Sequence, residues 1–326
     1  MRFVLWLLAL FGGAWGAAAL WFAGPGPSGV RGVLAAALVL AALYVVAAVR
    51  PNGRAALALA GLGVLWFAWW GSLTPSNHRD WQPDVAREPT AEIHGDLVTV
   101  RNVRNFHYRT ETDWDERWDE RHLDLSKLDG LDMFFSFWGS PQIAHTIMSW
   151  SFSDGQHLAV SIETRKEKGE VYSAFAGFFR QYELIYIVAD EADVVKLRTN
   201  FRKEDVYLYR LRVPRERARA LLLDYFKAIN DLAQKPAWYN ALTTNCTTTI
   251  RQRVMDAGGS VPFSWKLIAN GHLPELMYER GTLDHSLPFE ELRRQSHINE
   301  RAEAAGDTES FSTAVRRGLP LPPFAD

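Results

Sequence analysis

The sequence is short of the residues that build disulfide frameworks and metal cages. It contains one cysteine, Cys246, in 326 residues. A single thiol excludes an intrachain disulfide and any zinc or iron–sulfur site made from several cysteines. The His-x-x-x-His zinc spacing, the Gly-x-Ser-x-Gly elbow and the phosphate-binding glycine loop are also absent. We therefore expect no metal and no cofactor.

An excess of either charge is lacking as well. Lys and Arg number 36 and Asp and Glu number 38, which gives a formal net charge of −2. Without a basic excess the chain has no electrostatic basis for binding nucleic acid, and we predict no nucleic-acid partner. Hydrophobic residues make up 48% of the chain, which excludes an intrinsically disordered protein.

Charge is almost absent from the first 73 residues. Three uncharged runs, 3–23, 32–49 and 55–73, are separated by a Gly/Pro-rich break and by a loop with two arginines. Each is close to the ~20 residues that cross a bilayer as a helix. A cleaved signal peptide explains only the first run, and a buried helical hairpin is the alternative. Residues 1–73 are therefore predicted to form three transmembrane helices.

The arginines near these runs predict the orientation. Arg2 precedes the first run, Arg50 and Arg54 lie between the second and third, and the other loop contains only Arg31. Positively charged loops remain in the cytoplasm. We expect a cytoplasmic N-terminus and, after three spans, everything beyond Leu73 on the outer side.

The remaining chain predicts one extracytoplasmic α+β domain. Residues 74–89 are polar and rich in proline, which is typical of a linker, and 90–326 form the domain. Short alternating runs such as LVTVRNV and LIYIVA predict strands. Helical spacing begins at Pro214, and a second helix is expected from Cys246 to Ala257. Strands followed by helices, without regular βαβ alternation, indicate α+β.

Cys246 lies where a nucleophile would lie. Asn245 is a favourable N-cap, so Cys246 falls in the first turn of the second helix. The unpaired N–H groups and the helix dipole there favour a thiolate, and N–H groups of the turn, near Asn245 and Thr247, could donate to an oxyanion. The alternative is a buried, inert thiol.

A base is suggested by His145, which begins an apolar strand, HTIMSWSF. This strand leads into an Asp-Gly hairpin. With a three-residue loop His145 stands opposite Glu163 on the same face, whereas a four-residue loop places it opposite Thr164. In the first register Glu163 could orient the imidazole. Otherwise it forms an ordinary ion pair with Arg165 or Lys166.

Further charged residues are weaker candidates. The acidic stretch 113–120 matches no calcium loop and is typical of a solvated surface. Arg104, Arg165 and Arg198 could bind anionic head groups or form ion pairs.

Several short motifs together resemble a known family, the Lnb-type periplasmic domain of bacterial lipoprotein N-acyltransferases. The resemblance covers about residues 90–255 and rests, in order, on Arg104-Asn-Phe-His-Tyr, Ala144-His-Thr, Ser161-Ile-Glu-Thr-Arg, Tyr182-Glu-Leu-Ile-Tyr and Thr244-Asn-Cys-Thr-Thr. The family resembles a permuted papain-like fold of the NlpC and lecithin:retinol acyltransferase kind, with an antiparallel sheet and histidine before cysteine. In similar proteins the membrane spans follow the domain, whereas here they precede it.

The resemblance implies an enzyme of the bacterial inner membrane with its domain in the periplasm. Cys246 would be the nucleophile, His145 the base and Glu163 the polar group opposite it. Arg165 and Tyr186 would be motif residues at the substrate. The implied reaction moves an acyl chain from the diacylglyceryl-cysteine of a lipoprotein, or a related lipid ester, to the α-amine. A thiol hydrolase with the same dyad and a non-enzymatic envelope-binding module remain as alternatives.

Overall fold

Three apolar helices begin the protein. A computed structural model describes residues 1–305 and 310–325. The helices are α1 (Arg2–Ala23), α2 (Ser28–Ala48) and α3 (Asn52–Ser72), and each is long and apolar enough to cross a membrane. At Gly16 of α1 a Cβ would lie 2.8 Å from Leu38 of α2 and 3.2 Å from Trp66 of α3. The missing side chain therefore permits the close approach of the three helices.

The rest of the chain combines strands and helices. The strands are β1 (Thr90–His94), β2 (Leu97–Arg104), β3 (His107–Tyr108), β4 (Trp114–Asp115), β5 (Trp118–Asp124), β6 (Leu128–Phe137), β7 (Ala144–Phe152), β8 (His157–Arg165), β9 (Glu183–Ala189) and β10 (Asp205–Arg210). The helices are α4 (Glu191–Val194), α5 (Arg215–Gln234), α6 (Cys246–Asp256), α7 (Leu273–Glu279), α8 (Phe289–Ser296), α9 (Asn299–Ala304) and α10 (Phe311–Arg316). The predicted α+β class is confirmed.

The main sheet is mixed, which corrects the expectation of an antiparallel one. Its order is β1-β2-β9-β8-β7-β6-β10, with β5 also paired to β2. Every pair in it is antiparallel except β2 with β9, which meet in parallel at Arg104 and Ala189. The parallel pair arises because β9 returns to fill the space between β8 and β2, and its direction is set by its antiparallel pairing with β8.

Each face of the sheet carries its own core. On one face α5 packs through Leu222, Tyr225 and Phe226 against strand residues that include Trp150. The other face is covered by the segment after β9 and by the C-terminal helices, through Val195, Ile298 and other apolar residues. With both faces covered, the central strands are almost fully buried. Polar side chains inside this layer must therefore be paired.

A buried ion cluster joins the C-terminal helix to the sheet. Arg316 of α10 donates to Glu191 at 2.7 Å through two nitrogens and to Asp132 of β6 at 2.7 Å. Both carboxylates are fully buried, and Arg210 also pairs with Asp132. The paired charges hold the end of the chain on the sheet.

Segment 74–89 packs against the surface of the domain. Trp81 and Val85 are buried. Arg165 of β8 donates from Nε to the Val85 carbonyl at 3.0 Å, pairs with Glu88 at 2.7 Å and stacks on the Trp81 ring. The connection between α3 and β1 is thus fixed by side chains of the sheet.

Candidate active site

Cys246 is the first residue of α6, as predicted from the sequence. The Asn245 side chain accepts a hydrogen bond from the Thr248 N–H at 2.9 Å, and the Thr248 hydroxyl accepts one from the Asn245 N–H at 3.1 Å. This reciprocal capping box fixes where the helix begins. Cys246 is half-buried as a residue. It also lies in the turn where the positive end of the helix dipole favours a thiolate.

The hairpin after His145 adopts the three-residue register. The Phe152 N–H donates to the Gln156 carbonyl at 2.9 Å, and the β7–β8 pairing runs back to Ile147 opposite Ser161. Continued by two residues, the same register sets His145 opposite Glu163. Nε2 of His145 lies 3.1 Å from Oε1 of Glu163. The alternative register, with Thr164 opposite the histidine, is excluded.

Asn270 connects the strand of the histidine to the helix of the cysteine. Its Oδ1 accepts from the Ala144 N–H at 2.8 Å, and its Nδ2 donates both to the Ala144 carbonyl and to the Thr247 hydroxyl, each at 2.6 Å. The neighbouring Gly271 is pressed so close to Pro141 that a Cβ would overlap the Pro141 carbonyl oxygen. Asn270 therefore positions Ala144, which precedes His145, and Thr247, which follows Cys246.

The thiol and the imidazole alter each other's pKa. Burial would raise the pKa of Cys246, but the interaction with His145, and a smaller one with Thr146, lower it to about 7. Burial would lower the pKa of His145, but the Glu163 charge and the neighbouring Cys246 thiol raise it to about 9. Between these values the favoured state is a thiolate beside an imidazolium. This is the ionisation that nucleophilic cysteines require.

A chain of buried polar groups extends behind the imidazole. The Ser161 hydroxyl accepts from His145 Nε2 at 2.7 Å and donates to Glu163 Oε1 at 2.7 Å. Arg198 donates to Glu163 at 2.9 Å and to Glu204 at 3.2 Å. Burial would raise the pKa of Glu163, but His145 and Arg198 hold it well below its usual range. Glu163 therefore stays ionised and favours a protonated imidazole.

A cleft opens in front of this chain. Its volume is about 370 Å³, and its lining includes His145, Glu163, Arg198, Tyr172 and Tyr239. Burial raises the pKa of both tyrosines, and the charges of Glu163 and Cys246 add to the effect, which places both rings near the site. A mixed polar and aromatic cleft next to a nucleophile is the usual setting of a substrate site.

The structure does not bring every predicted site residue to the thiol. Arg165 is bound to the 74–89 segment, as described above. Tyr186 is buried against Tyr225 in the core beneath α5, with ring centroids 6.0 Å apart, and burial raises its pKa to about 12. Arg165 and Tyr186 thus have contacts within the fold, and the role at the substrate that the resemblance implies stays a prediction. The Asn245 side chain and backbone are engaged by the cap, and the Thr247 side chain is engaged by Asn270.

The arginines left open by the sequence form buried ion pairs. Arg104 pairs with Asp193 at 2.7 Å, and Arg198 joins Glu163. The sequence left two possibilities open for Arg198, a ligand of anionic head groups and an ion pair, and the structure shows the ion pair. Arg198 reaches its position behind Glu163 from the π-helical turn 197–201, which follows β9. No sequence pattern predicted this turn.

Sequence reasoning missed Ser161, Thr146 and Asn270. Ser161 carried a usable signal, because it precedes Glu163 by two residues and therefore shares its face of β8. Thr146 follows His145 directly in the sequence, so a group that contacts the start of β7 could also contact Thr146. Asn270 lies in an irregular segment 126 residues after Ala144, where no periodicity predicts a contact.

Comparison with known proteins identifies the domain. Residues 114–271 match the model of the Lnb N-terminal periplasmic domain. The chain contains an Lnb-type periplasmic domain. The matched segment runs from β4 to Asn270 and Gly271, and it includes Cys246, His145 and Glu163. The three apolar helices α1–α3 and the strands β1 to β3 lie outside it. No curated protein and no solved structure matches the chain.

Proposed function

We propose that this protein is a membrane-anchored cysteine acyltransferase that acts on lipoproteins at the outer face of the bacterial inner membrane. The observation that carries the proposal is that Asn270 joins the strand of His145 to the helix of Cys246. The mutual effect of these two groups on pKa favours a thiolate near neutral pH. Family membership and the apolar helices support a lipid-linked substrate in the periplasm. The implied donor is an ester of diacylglyceryl-cysteine, and the acceptor is the α-amine of the same residue.

The first half-reaction forms an acyl-enzyme. The Cys246 thiolate attacks the ester carbonyl carbon, and the tetrahedral intermediate collapses with loss of the glyceryl alkoxide. The His145 imidazolium donates its proton to this oxygen, which leaves a hydroxyl on the glyceryl group and a thioester on Cys246. Glu163, held by Ser161 and Arg198, stabilises the imidazolium until that proton is transferred.

The second half-reaction uses the amine. Neutral His145 accepts a proton as the uncharged α-amine attacks the thioester carbonyl, and the Cys246 thiolate is the leaving group. The product is an amide on the lipoprotein and a monoacylglyceryl group, and the enzyme returns to its thiolate–imidazolium state. No proton or acyl group is gained or lost in the cycle.

The first turn of α6 supplies donors for the oxyanion. A helix leaves its first N–H groups without an intrahelical partner. The Thr248 N–H is taken by the Asn245 side chain and the Thr249 N–H by the Asn245 carbonyl. The N–H groups of Cys246 and Thr247 are therefore suited to stabilise the negative oxygen of a tetrahedral intermediate.

An apolar cavity beside the nucleophile suits part of an acyl chain. It measures about 210 Å³ and is lined by Thr247, Ile250 and Val254 of α6, and by Met148 and Leu276 among other residues. It begins one residue beyond Cys246 along the helix. Burial of methylene groups there would contribute about 0.8 kcal/mol each.

Tandem mass spectrometry of a synthetic diacylglyceryl lipopeptide tests this proposal. Acyl transfer within one molecule leaves the mass unchanged, so fragmentation must locate the chain on the amine. With the purified full-length protein we expect an N-acylated lyso isomer that no longer reacts with amine reagents. Neither Cys246→Ser protein nor an N-acetylated lipopeptide should give this isomer.

Three results would contradict the proposal, each in its own way. Release of fatty acid, with loss of one acyl mass from the peptide, would indicate the thiol hydrolase. A gain of one acyl mass would show that another lipid is the donor. An unchanged lipopeptide, under conditions in which Cys246 alkylates rapidly, would favour the binding module.

A further inference from the structure

The segment between β8 and β9 connects the cleft to the membrane helices. We call residues 171–179 the apolar loop. Tyr172 of this loop lines the cleft with His145. Three residues later the Phe175 ring meets Phe22 of α1, with centroids 5.8 Å apart. Three residues span at most about 10 Å of chain, so the mouth of the cleft lies close to α1.

Aromatic contacts anchor the apolar loop to α1. The Phe179 ring stacks on Phe22, with centroids 5.6 Å apart, and contacts Trp15 at 4.6 Å. Directly after the loop, Arg180 donates to the Trp70 carbonyl at the end of α3 at 2.6 Å and lies over the Trp70 ring. Both helix ends therefore hold the same piece of the domain.

These contacts set the depth of the loop. Trp15 lies eight residues before Ala23, the last residue of α1. At 1.5 Å per residue this is about 12 Å below the outer end of the helix. A side chain that touches Trp15 consequently lies below the level at which α1 leaves the bilayer. Phe179 therefore reaches membrane depth if α1 spans the bilayer.

The apolar loop exposes large hydrophobic side chains to solvent. Val171 is 84% exposed and Phe175 is 58% exposed, and Tyr172 is half-exposed. Leu242, 64% exposed, continues this surface, because the neighbouring Ala241 N–H donates to the Gly177 carbonyl of the loop at 3.1 Å. A contiguous exposed apolar surface marks a site that binds another apolar phase.

We propose that the apolar loop and Leu242 are immersed in the outer leaflet of the membrane that α1–α3 cross, so that the cleft opens toward lipid. The occupant of this surface is the bilayer itself, because the surface is continuous with helices that already lie in it. Aromatic side chains such as Tyr172 and Phe175 suit the interfacial zone. The consequence for catalysis rests on the proposed function: an acylated substrate would reach Cys246 without leaving the membrane.

Spin labelling of the full-length protein in phosphatidylethanolamine/phosphatidylglycerol vesicles tests the immersion. Cys246→Ala removes the native thiol, and Val171→Cys or Leu242→Cys then provides a single labelling site. Ser153→Cys is the matched control, because it is exposed and lies in the hairpin turn, eight residues or about 27 Å along β7 from His145. Collision rates with oxygen and with a water-soluble nickel chelate measure depth.

We expect labels at positions 171 and 242 to collide readily with oxygen and to be shielded from the chelate at least about fivefold relative to position 153. Chelate access equal to that at position 153 would overturn the inference. Because every variant lacks Cys246, the result does not depend on catalysis. Failure here would leave the acyl-transfer proposal standing, and failure of the lipopeptide assay would leave the immersion standing.

Discussion

Replacement of His145 by alanine is expected to slow formation of the N-acylated product at least about 1,000-fold at pH 7. Loss of a general acid–base group costs 10²–10⁴-fold. The variant also loses the imidazole whose presence lowers the pKa of Cys246, so that burial then raises this pKa and the thiolate fraction falls. The initial rate of product formation from the lipopeptide measures the effect.

His157→Ala is the matched control for this variant. His157 is the first residue of β8, in the same hairpin, and its Nδ1 lies 3.2 Å from the Gly155 carbonyl oxygen of the turn. We expect its rate to stay within about twofold of the original. A His145→Ala protein that is folded and retains more than a tenth of the rate would remove His145 from the mechanism.

Replacement of Arg316 by methionine is expected to reduce the free energy of unfolding of the domain by about 3–5 kcal/mol at pH 7. Glu191 and Asp132 are fully buried, and the substitution removes the bonds that Arg316 donates to each of them. Asp132 keeps its pairing with Arg210. Breaking a buried ion pair leaves an uncompensated charge, which costs this amount. Near-ultraviolet circular dichroism of thermal unfolding in detergent measures the change.

The effect of Arg316→Met should depend on pH in a defined direction. Burial alone would raise the pKa of Glu191, but the bonds from Arg316 hold it well below its usual range. A lowered pKa stabilises the fold above the ordinary carboxyl pKa, near 4.3, and this stability is lost as the pH falls. The difference between the two proteins should therefore be full at pH 7 and shrink as the pH falls below about 4.3.

Arg294→Met provides the comparison for the buried cluster. Arg294 pairs with Glu291 on the surface of α8, where water screens the charges. We expect little change in its unfolding transition. An Arg316→Met protein as stable as the Arg294→Met protein would show that the C-terminal helix is not held by these charges.

The sequence predicts those helices and turns that are determined by residues close together in the chain. The three long apolar helices follow from uncharged runs of the required length, and α6 follows from Asn245 and the periodic residues after it. The hairpin was predicted by Asp-Gly, and its two possible registers differed by one residue in the loop. Because the same loop length decides which face every side chain of β8 takes, the structure was needed to choose between them.

Contacts between segments that are far apart in the chain could not be predicted from the sequence. The position of β9 between β8 and β2, and with it the one parallel pair, depends on the packing of the whole sheet. Asn270 and Arg198 reach the site through irregular turns without periodic signals. Arg165 belongs to the same motif as Ser161 and Glu163, but its side chain binds the 74–89 segment, which no motif could reveal. The permuted papain-like arrangement stays a prediction.

The pH dependence of Cys246 alkylation tests the central claim most directly, because it reports on the only thiol in the chain. Iodoacetamide should label the original protein with a midpoint near pH 7, since His145 lowers the thiol pKa to about 7. In His145→Ala the midpoint should rise above the ordinary thiol value of about 8.5. A midpoint at or above 8.5 in the original protein, or one that His145→Ala leaves unchanged, would contradict a thiolate–imidazolium pair.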